Sequence, residues 1–318
     1  MKRGEITFRR NDDECAAWHL PAVSDRLATA SGRPCVVMAH GFGGTRDAGL
    51  LRYAEGFAEA GIDAFVFDYR GFGASGGTPR QDVSVRGQRQ DYHAALAAAR
   101  GLTGIDPDRI VLWGTSYSGG HVLAVAARDR GVAAVVSLTP AVDGLATLAH
   151  VVRHAGFGRL LRLAGHGLRD AARSLARGRP HHVPIVGPPG SSAVMTTPDA
   201  ERIIASMAGP TWINAVRARA ALRVGPNRPT LFAGFVRCPL LIQVGTKDLV
   251  APPAAARRAA SKAGRWAYLR EYPLGHFDVY DGPWQLRVLA DQIEFLTRVL
   301  TPSNDRRLPP SAEGTLSA

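Results

Sequence analysis

The sequence predicts an α/β protein with a mostly parallel, doubly wound sheet and helices on both of its faces. Short apolar runs alternate with helix-like segments from residue 35 to residue 138, as parallel strands joined by crossover helices do. Glycine-rich turns follow several of these runs, at the points where the strands would end. With 318 residues, of which 46% are hydrophobic, the chain can bury a large core around such a sheet.

The same pattern predicts each element in order. The N-terminal segment alternates apolar and polar residues, which is typical of a leading β-hairpin. The following strands are predicted: 35–39, 62–68, 109–113, 132–138, 240–244 and 267–272. The helices predicted between and after them are 47–60, 82–100, 117–128 and one beginning near Pro252.

A long insertion, residues 140–236, separates two of the predicted strands. Connections of this kind usually take a few residues, so close to one hundred residues indicate an added structure, which we interpret as a helical lid. Its helices are predicted near 145–155, 158–177, 198–207 and 210–222. The chain is thereby divided into a first part of the core (1–139), the lid (140–236), a second part of the core (237–301) and a flexible tail (302–318).

Positive charge is concentrated in the insertion. It contains twelve arginines and four acidic residues, a net +8 of the chain's +12. Its second predicted helix has an apolar stripe opposite a basic face, and we expect the stripe to pack on the core: Leu161, Ala164, Leu168, Ala172 and Leu175. We favour a solvated arginine-rich face as the explanation of the charge. The alternative is a lid that attracts anionic substrates, such as acyl-CoA or acyl carrier conjugates, or an anionic membrane surface.

Composition excludes several classes of protein. No apolar run approaches the roughly 20 residues of a transmembrane helix, and the N-terminus lacks the apolar stretch of a secretory signal, which predicts a cytoplasmic protein. The three cysteines have no metal-binding or redox spacing and are expected to be free thiols. No aromatic-interleaved basic motif accompanies the positive charge, so nucleic acid is not an expected partner. The sequence leaves the oligomeric state open.

The heptapeptide GTSYSGG, residues 114–120, is the main candidate for chemistry. It lies between the apolar run 109–113 and a helix-like run, as a nucleophile elbow centred on Ser116 would. A serine hydroxyl is a poor nucleophile, so it must sit on a sharp turn beside a base and beside donors for an oxyanion. The sequence departs from the G-x-S-x-G pattern at Ser118, where glycine is usual, but serine is small enough to allow the same turn. An ordinary glycine-rich loop is the alternative interpretation of the heptapeptide alone.

Partners for this serine follow in the chain order Ser, Asp, His. Asp248 lies on the turn after the strand 240–244 and is the candidate acid, and His276 lies on the loop after the strand 267–272 and is the candidate base. Taken singly, Asp248 could cap a helix and His276 could be a solvated or structural histidine. Asp143 is the alternative acid, ranked second because a carboxylate there is more often a helix cap.

A glycine-rich loop, HGFGG at residues 40–44, follows the first strand of the alternating series. Its glycines let backbone N–H groups turn toward a substrate oxygen, and we expect the oxyanion donors to be the N–H groups of Phe42 and Tyr117. His40 itself is expected to be structural. Neither the G-x-G-x-x-G spacing nor a G-K-[ST] ending is present, so nucleotide binding is not expected.

Five motifs in this order resemble the α/β-hydrolase superfamily over roughly residues 30–300: HGFGG, DYRGFGASGG, GTSYSGG, GTKD and GHFDVY. The resemblance implies an eight-stranded, mostly parallel sheet, a Ser-Asp-His triad, no required cofactor, and ester, thioester, amide or acyl-transfer chemistry. GTSYSGGH and GHFDVY are also similar to a subgroup with serine-aminopeptidase-like proteins, dienelactone-hydrolase-like proteins and fungal polyketide acyltransferases.

The sequence therefore predicts a serine hydrolase that cleaves an ester or thioester through an acyl-enzyme on Ser116. Three alternatives remain at this point: an acyltransferase that uses the same acyl-enzyme, a peptidase, and a catalytically silent protein that binds a ligand. Few acidic residues occur in the insertion to bind a free amino terminus, so we rank esters and thioesters above peptides.

Overall fold

An eight-stranded sheet forms the centre of the molecule in a computed structural model that describes residues 3–197 and 200–301. The predicted tail, 302–318, lies outside the described residues. The strands of this sheet are β1 (Gly4–Arg10), β2 (Asp13–Leu20), β3 (Arg33–Ala39), β4 (Asp63–Phe67), β5 (Ile105–Thr115), β6 (Val132–Leu138), β9 (Leu240–Gly245) and β10 (Ala267–Tyr272). A separate two-stranded ladder joins β7 (His182–Val183) to β8 (Val216–Arg217).

Eight α-helices accompany the sheet within the described residues. They are α1 (Leu51–Glu59), α2 (Val85–Arg100), α3 (Tyr117–Ala126), α4 (Gly144–Ala155), α5 (Phe157–Leu175), α6 (Ala200–Met207), α7 (Pro253–Ala263) and α8 (Gly282–Leu300). None of them is both long and apolar enough to cross a bilayer.

The strand order is β1-β2-β4-β3-β5-β6-β9-β10, parallel from β4 to β10, with β1 and β2 joined as the predicted antiparallel hairpin. The prediction of a mostly parallel, doubly wound sheet is confirmed. Because parallel strands end at the same edge of a sheet, the turns after β3, β5, β6, β9 and β10 all reach one side of the molecule.

Strand β5 lies in the core, and its residues Ile110–Thr115 are all buried. Trp113 in this strand ties two helices to the sheet. Its backbone carbonyl accepts a hydrogen bond from the Tyr92 hydroxyl of α2 at 2.8 Å, and its indole N–H donates to Gln292 Oε1 of α8 at 2.9 Å. These bonds satisfy polar groups that would otherwise be buried without a partner.

The insertion contains α4, α5, α6 and the β7–β8 ladder. The predicted helices near 145–155 and 158–177 are present as α4 and α5, and α6 covers the described part of the predicted helix 198–207. The predicted helix 210–222 is wrong, because that segment forms β8 and then a 3-10 helix, Ala218–Arg223. Pairing of β8 with β7 takes precedence over the helical preference of this arginine- and alanine-rich stretch.

The predicted packing of the α5 stripe is also wrong, because Leu161, Leu168 and Leu175 are exposed. A different face of α5 is buried: Gly167 lies where an added Cβ would be 2.7 Å from the Leu222 side chain, and Asp170 is fully buried. The Asp170 carboxylate accepts hydrogen bonds from Arg219 Nε at 2.6 Å and from the His181 N–H at 2.9 Å. This polar anchor turns the leucines away from the core.

Replacing Asp170 with alanine will lower the free energy of unfolding by about 3 kcal/mol, because it leaves the buried Arg217 and the partly buried Arg219 without their counter-charge. Urea denaturation measures the change. The matched control is Asp25→Ala, since the Asp25 side chain is 80% exposed and its pair with Arg33 spans 3.7 Å, so this change will cost less than about 1 kcal/mol. Equal losses in the two variants would contradict the role of Asp170.

The contacts of Asp170 also predict that the free energy of unfolding depends on pH. Burial alone would raise the pKa of Asp170, but the Arg219 guanidinium and the backbone N–H donors overcome this effect and lower it to about 2. A carboxyl group whose pKa is lowered by folding stabilises the protein above its ordinary pKa and loses that contribution as the pH falls. The stability difference between wild type and Asp170→Asn will therefore stay constant above about pH 5 and shrink toward pH 2, as measured by urea denaturation at each pH. A constant difference down to pH 2 would contradict the assignment.

Candidate active site

Ser116 lies on a strained turn between β5 and α3. Its backbone has φ 55° and ψ −115°, a conformation that residues other than glycine rarely adopt. Its N–H donates to Leu138 O at 2.8 Å, and its carbonyl accepts from the Ala141 N–H at 2.8 Å. The neighbouring end of β6 and the residues after it therefore hold the turn in place.

Small residues and Ser118 complete the turn. A Cβ added to Gly114 would lie 2.4 Å from Ser118 O, and one added to Gly119 would lie 2.9 Å from Pro140 Cβ. The Ser118 hydroxyl accepts the Thr115 N–H at 3.0 Å and donates to Ala39 O at 2.8 Å. Serine in place of the usual glycine therefore ties the turn to the end of β3, a contribution that the sequence pattern did not reveal.

His276 lies between the other two candidate residues. Its Nε2 is 2.9 Å from Ser116 Oγ, and its Nδ1 is 2.6 Å from Asp248 Oδ2. All three side chains are buried. The structure thus brings together the serine, the histidine and the acid that the sequence predicted, in hydrogen-bond contact.

The carboxylate of Asp248 has two separate sets of contacts. Oδ2 faces His276, while Oδ1 accepts the N–H groups of Val250 and Ala251 at 2.7 and 2.8 Å. Asp248 thus closes a turn, but it does not cap α7, whose N-terminus has no side-chain cap. Because these two hydrogen bonds fix the carboxylate, they also fix the position of Oδ2 next to His276.

The loop that carries Asp248 and the loop that carries His276 are hydrogen-bonded to each other. The Thr246 N–H donates to Tyr272 O at 2.8 Å, and the Lys247 N–H donates to Leu274 O at 3.0 Å. Gly245 permits this approach, because a Cβ there would lie 2.6 Å from Leu274 O. The loop of the acid and the loop of the histidine therefore form one unit after β9 and β10.

The glycine loop after β3 packs against the serine. A Cβ added to Gly41 would lie 3.0 Å from Ser116 Cβ and 3.5 Å from Ser116 Oγ. Within the described residues, no hydrogen bond engages the backbone N–H of Phe42 or of Tyr117. The rings of these two residues meet edge to face, 5.4 Å apart. Both predicted oxyanion donors thus lie beside the serine, and among the described residues their N–H groups have no hydrogen-bond acceptor.

Two other candidates have structural contacts. Asp143 caps α4 by accepting the N–H groups of Leu145 and Ala146, and it pairs with Arg228 at 3.2 Å. His40 is buried, and burial is the main cause that lowers its pKa to about 4, so it remains neutral near pH 7. Neither residue contacts the Ser116–His276–Asp248 group in the hydrogen bonds of the described residues.

A cavity of about 650 Å³ opens beside Ser116. Helix α4 lines it from Gly144 to Ala155, which corresponds to roughly 16 Å along the helix axis. Apolar side chains from α4, from α5 and from the loop that carries Asp248 form most of its wall: Leu145, Leu148, Val151, Leu160, Leu163 and Val250. No Asp or Glu from the described residues lines it. The space is suited to an extended apolar group.

Asn227 and Arg159 are polar residues of the cavity wall that the sequence did not single out. Asn227 is buried, and its Oδ1 accepts a hydrogen bond from Arg89 Nη2 at 2.7 Å. Arg159 donates to the carbonyls of Ala193 and Val194 at 2.7 and 3.1 Å, so it ties α5 to the loop after β7. Neither residue belongs to a recognisable motif, because each partner lies far away in the sequence.

All three cysteines, Cys15, Cys35 and Cys238, are buried free thiols, as predicted. Burial is the main cause that raises the pKa of Cys15 and of Cys238 to about 12, so neither is a thiolate near pH 7. Among residues 3–197 and 200–301, no group of three or more His, Cys, Asp or Glu side chains is arranged to bind a metal ion.

This strand order, with a serine on the turn between β5 and α3, is that of the α/β hydrolases, and the chain is an enzyme of this class. More narrowly, the chain belongs to the serine aminopeptidase S33 family, which it matches over residues 30–275.

One relative and two solved structures match nearly the whole chain. The quorum-quenching protein AidA of Acinetobacter baumannii is 39% identical over 298 residues, which covers 93% of this chain and 95% of AidA. The crystal structure of the α/β hydrolase GrgF from Penicillium sp. sh18 has a TM-score of 0.77 at 25% identity and covers 94% of this chain and 99% of GrgF. Est1E from Butyrivibrio proteoclasticus, solved with ferulic acid bound, has a TM-score of 0.62 at 18% identity, covers 93% of this chain and 100% of Est1E, and is similar in fold.

Substituting alanine at Gly41 will slow the reaction of Ser116 with a fluorophosphonate roughly tenfold, because the added methyl group displaces the serine or the glycine loop. Intact-mass spectrometry over time measures the rate. The matched control is Gly158→Ala, since a Cβ at Gly158 meets nothing within 4 Å. Equal rates for both variants would show that the loop does not touch the reacting serine.

Proposed function

We propose that this protein cleaves carboxylic esters or thioesters through an acyl-enzyme on Ser116. Ser116 Oγ attacks the substrate carbonyl while His276 Nε2 takes its proton, and Asp248 holds the histidine in the required orientation. The N–H groups of Phe42 and Tyr117 donate to the oxyanion. His276 passes the proton to the leaving alcohol or thiol, and water then releases the acid while the serine regains its proton.

The observation that carries this proposal is the continuous hydrogen-bond chain from Asp248 through His276 to Ser116, with contacts of 2.6 and 2.9 Å. A serine hydroxyl is activated when a base lies within hydrogen-bond reach and a third group orients that base. The strained backbone at Ser116 supports the same role, because strain of this kind is concentrated at functional sites.

The cavity supports an acyl substrate more strongly than a peptide. An aminopeptidase binds the positive amino terminus of its substrate, and a carboxylate is the usual partner for that charge. The cavity wall formed by described residues has no carboxylate, while Arg159, Arg228 and His154 line it. An ammonium group would therefore find no carboxylate among these wall residues, whereas the apolar side chains of the wall suit an acyl chain.

We also propose that the insertion serves as the lid of this cavity, between core parts 1–139 and 237–301. Helices α4 and α5 supply much of the cavity wall, which supports this role. Attraction of anionic substrates is a weaker proposal, because several arginines of the insertion already have partners: Arg217, Arg219, Arg223 and Arg228 pair with Asp170, Asp82 or Asp143. We further propose that the protein is cytoplasmic. Its three cysteines form no disulfide bond, which supports this location.

Acyl transfer is the second candidate function, favoured by relatives named polyketide transferase, such as grgF of Penicillium sp, 33% identical over 186 residues and aligned over 58% of this chain. Both reactions share the acyl-enzyme and differ in the group that receives the acyl chain. Turnover of a thioester in the presence of an added alcohol or amine distinguishes them. Acyl product on the acceptor supports transfer, and free acid alone supports hydrolysis.

Fluorophosphonate labelling tests the catalytic group. Wild type will gain a single adduct, Ser116→Ala will gain none, and His276→Ala will react on the order of 1,000-fold more slowly, because the serine loses its base. Asp248→Asn will show a comparable loss of ester turnover. Asp143→Asn is the matched control and will keep nearly full activity, since Asp143 caps α4. An unlabelled, folded wild type would favour the ligand-binding alternative.

A chain-length series of p-nitrophenyl esters tests the cavity. From acetyl to octanoyl esters, kcat/KM will rise by up to about fourfold per methylene, because each buried CH₂ contributes about 0.8 kcal/mol. Val151→Trp will shift the optimum to shorter chains, because Val151 lines the cavity. The neighbouring Val152→Trp is the control, since Val152 is not part of the wall. A flat series, or equal shifts in both variants, would mean that the acyl chain binds elsewhere.

A further inference from the structure

Helix α5 carries an exposed apolar ridge, defined as Phe157, Leu161, Leu168 and Leu175. Their exposed fractions are 59%, 57%, 62% and 89%. Spacings of four and seven residues place the four side chains on one face of the helix, along roughly 27 Å. Large apolar side chains aligned in this way on a surface mark a site of interaction.

Basic side chains lie on another exposed face of α5 and near its two ends. Arg162, Arg169 and Arg173 are exposed on α5, and Arg153, Arg177 and Arg179 are exposed near its two ends. Between residues 140 and 179 the sequence has only two acidic residues, Asp143 and Asp170. Both are buried and already paired, with Arg228 and with Arg217 and Arg219. The outer side of α5 is therefore apolar and positively charged, and residues 140–179 supply no further acid to compensate this charge.

The ridge adjoins the cavity. Leu160 and Ala164 lie on the strip of α5 next to the ridge and line the cavity beside Ser116. Three further leucines of the cavity wall, Leu145, Leu222 and Leu249, are 52%, 37% and 48% exposed. An apolar surface thus continues from the ridge to the wall of the cavity.

We propose that α5 docks this protein on an anionic lipid surface, with the ridge in the acyl boundary and the arginines at the headgroups. A helix with Phe and Leu on one face and arginine on another has the composition of interfacial helices, and anionic lipids complement its charge. A second copy of the chain is disfavoured, because two insertions of net +8 would face each other. An acidic protein would also complement this charge, and its association is distinguished from lipid binding by the test below.

This docking site would bring the active site to lipid-borne acyl substrates, and in that respect it rests on the proposed function. Binding is measured apart from catalysis, using full-length Ser116→Ala protein and sedimentation with sucrose-loaded vesicles. Vesicles of phosphatidylcholine mixed with phosphatidylglycerol will bind the protein at least tenfold more strongly than phosphatidylcholine alone, and raised salt will weaken this binding.

Replacing Leu161, Leu168 and Leu175 together with serine will reduce binding to the mixed vesicles at least tenfold. Leu286→Ser is the matched control, because Leu286 on α8 has the same exposed fraction as Leu161, 57%, and it will bind as before. With Ser116 restored, the ridge variant will hydrolyse a soluble p-nitrophenyl ester at the wild-type rate, since none of the three leucines lines the cavity.

The proposal is overturned if mixed vesicles do not bind the protein, if the ridge variant and the Leu286 control bind equally, or if light scattering shows a dimer that the ridge variant abolishes. Association with an acidic protein but not with vesicles would overturn it as well. Vesicle binding by a protein without any esterase activity would support the docking site and contradict the proposed function.

Discussion

The backbone turn at Ser116 is the constraint on which the rest of the site depends. Its φ of 55° is unfavourable for serine, so the surrounding structure must hold it. Bonds to Leu138, to Ala141 and through Ser118 to Ala39 provide this support from β6 and β3. Because β5 lies between these two strands, the centre of the sheet fixes the position of the serine hydroxyl.

Different parts of the chain build the Ser116–His276–Asp248 group and the cavity beside it. The serine, histidine and acid lie on loops that are bonded to each other at the carboxyl ends of β5, β9 and β10. The cavity beside them is built largely by the insertion. The relatives have a range of names, from quorum-quenching protein to polyketide transferase and thiohydrolase, and one fold can support several functions.

Much of the fold and of the candidate site was predictable from the sequence. Alternating apolar runs located most strands of the main sheet, and the motif order Ser, Asp, His singled out Ser116, Asp248 and His276, which lie in hydrogen-bond contact. The orientation of α5 was not predictable, because Asp170 is anchored by Arg219, a residue 49 positions away. The role of Asn227 was hidden for the same reason, since Arg89 is 138 positions away. Local periodicity contains no information on such distant partners.

Peptide mapping of the enzyme quenched with acid during turnover of a slow ester tests the central claim most directly. The account predicts that the substrate's acyl group is found on the peptide containing Ser116, and that the adduct disappears once the ester is exhausted. Turnover without a covalent intermediate, or an acyl group on another residue, would contradict the assignment of Ser116 as the nucleophile.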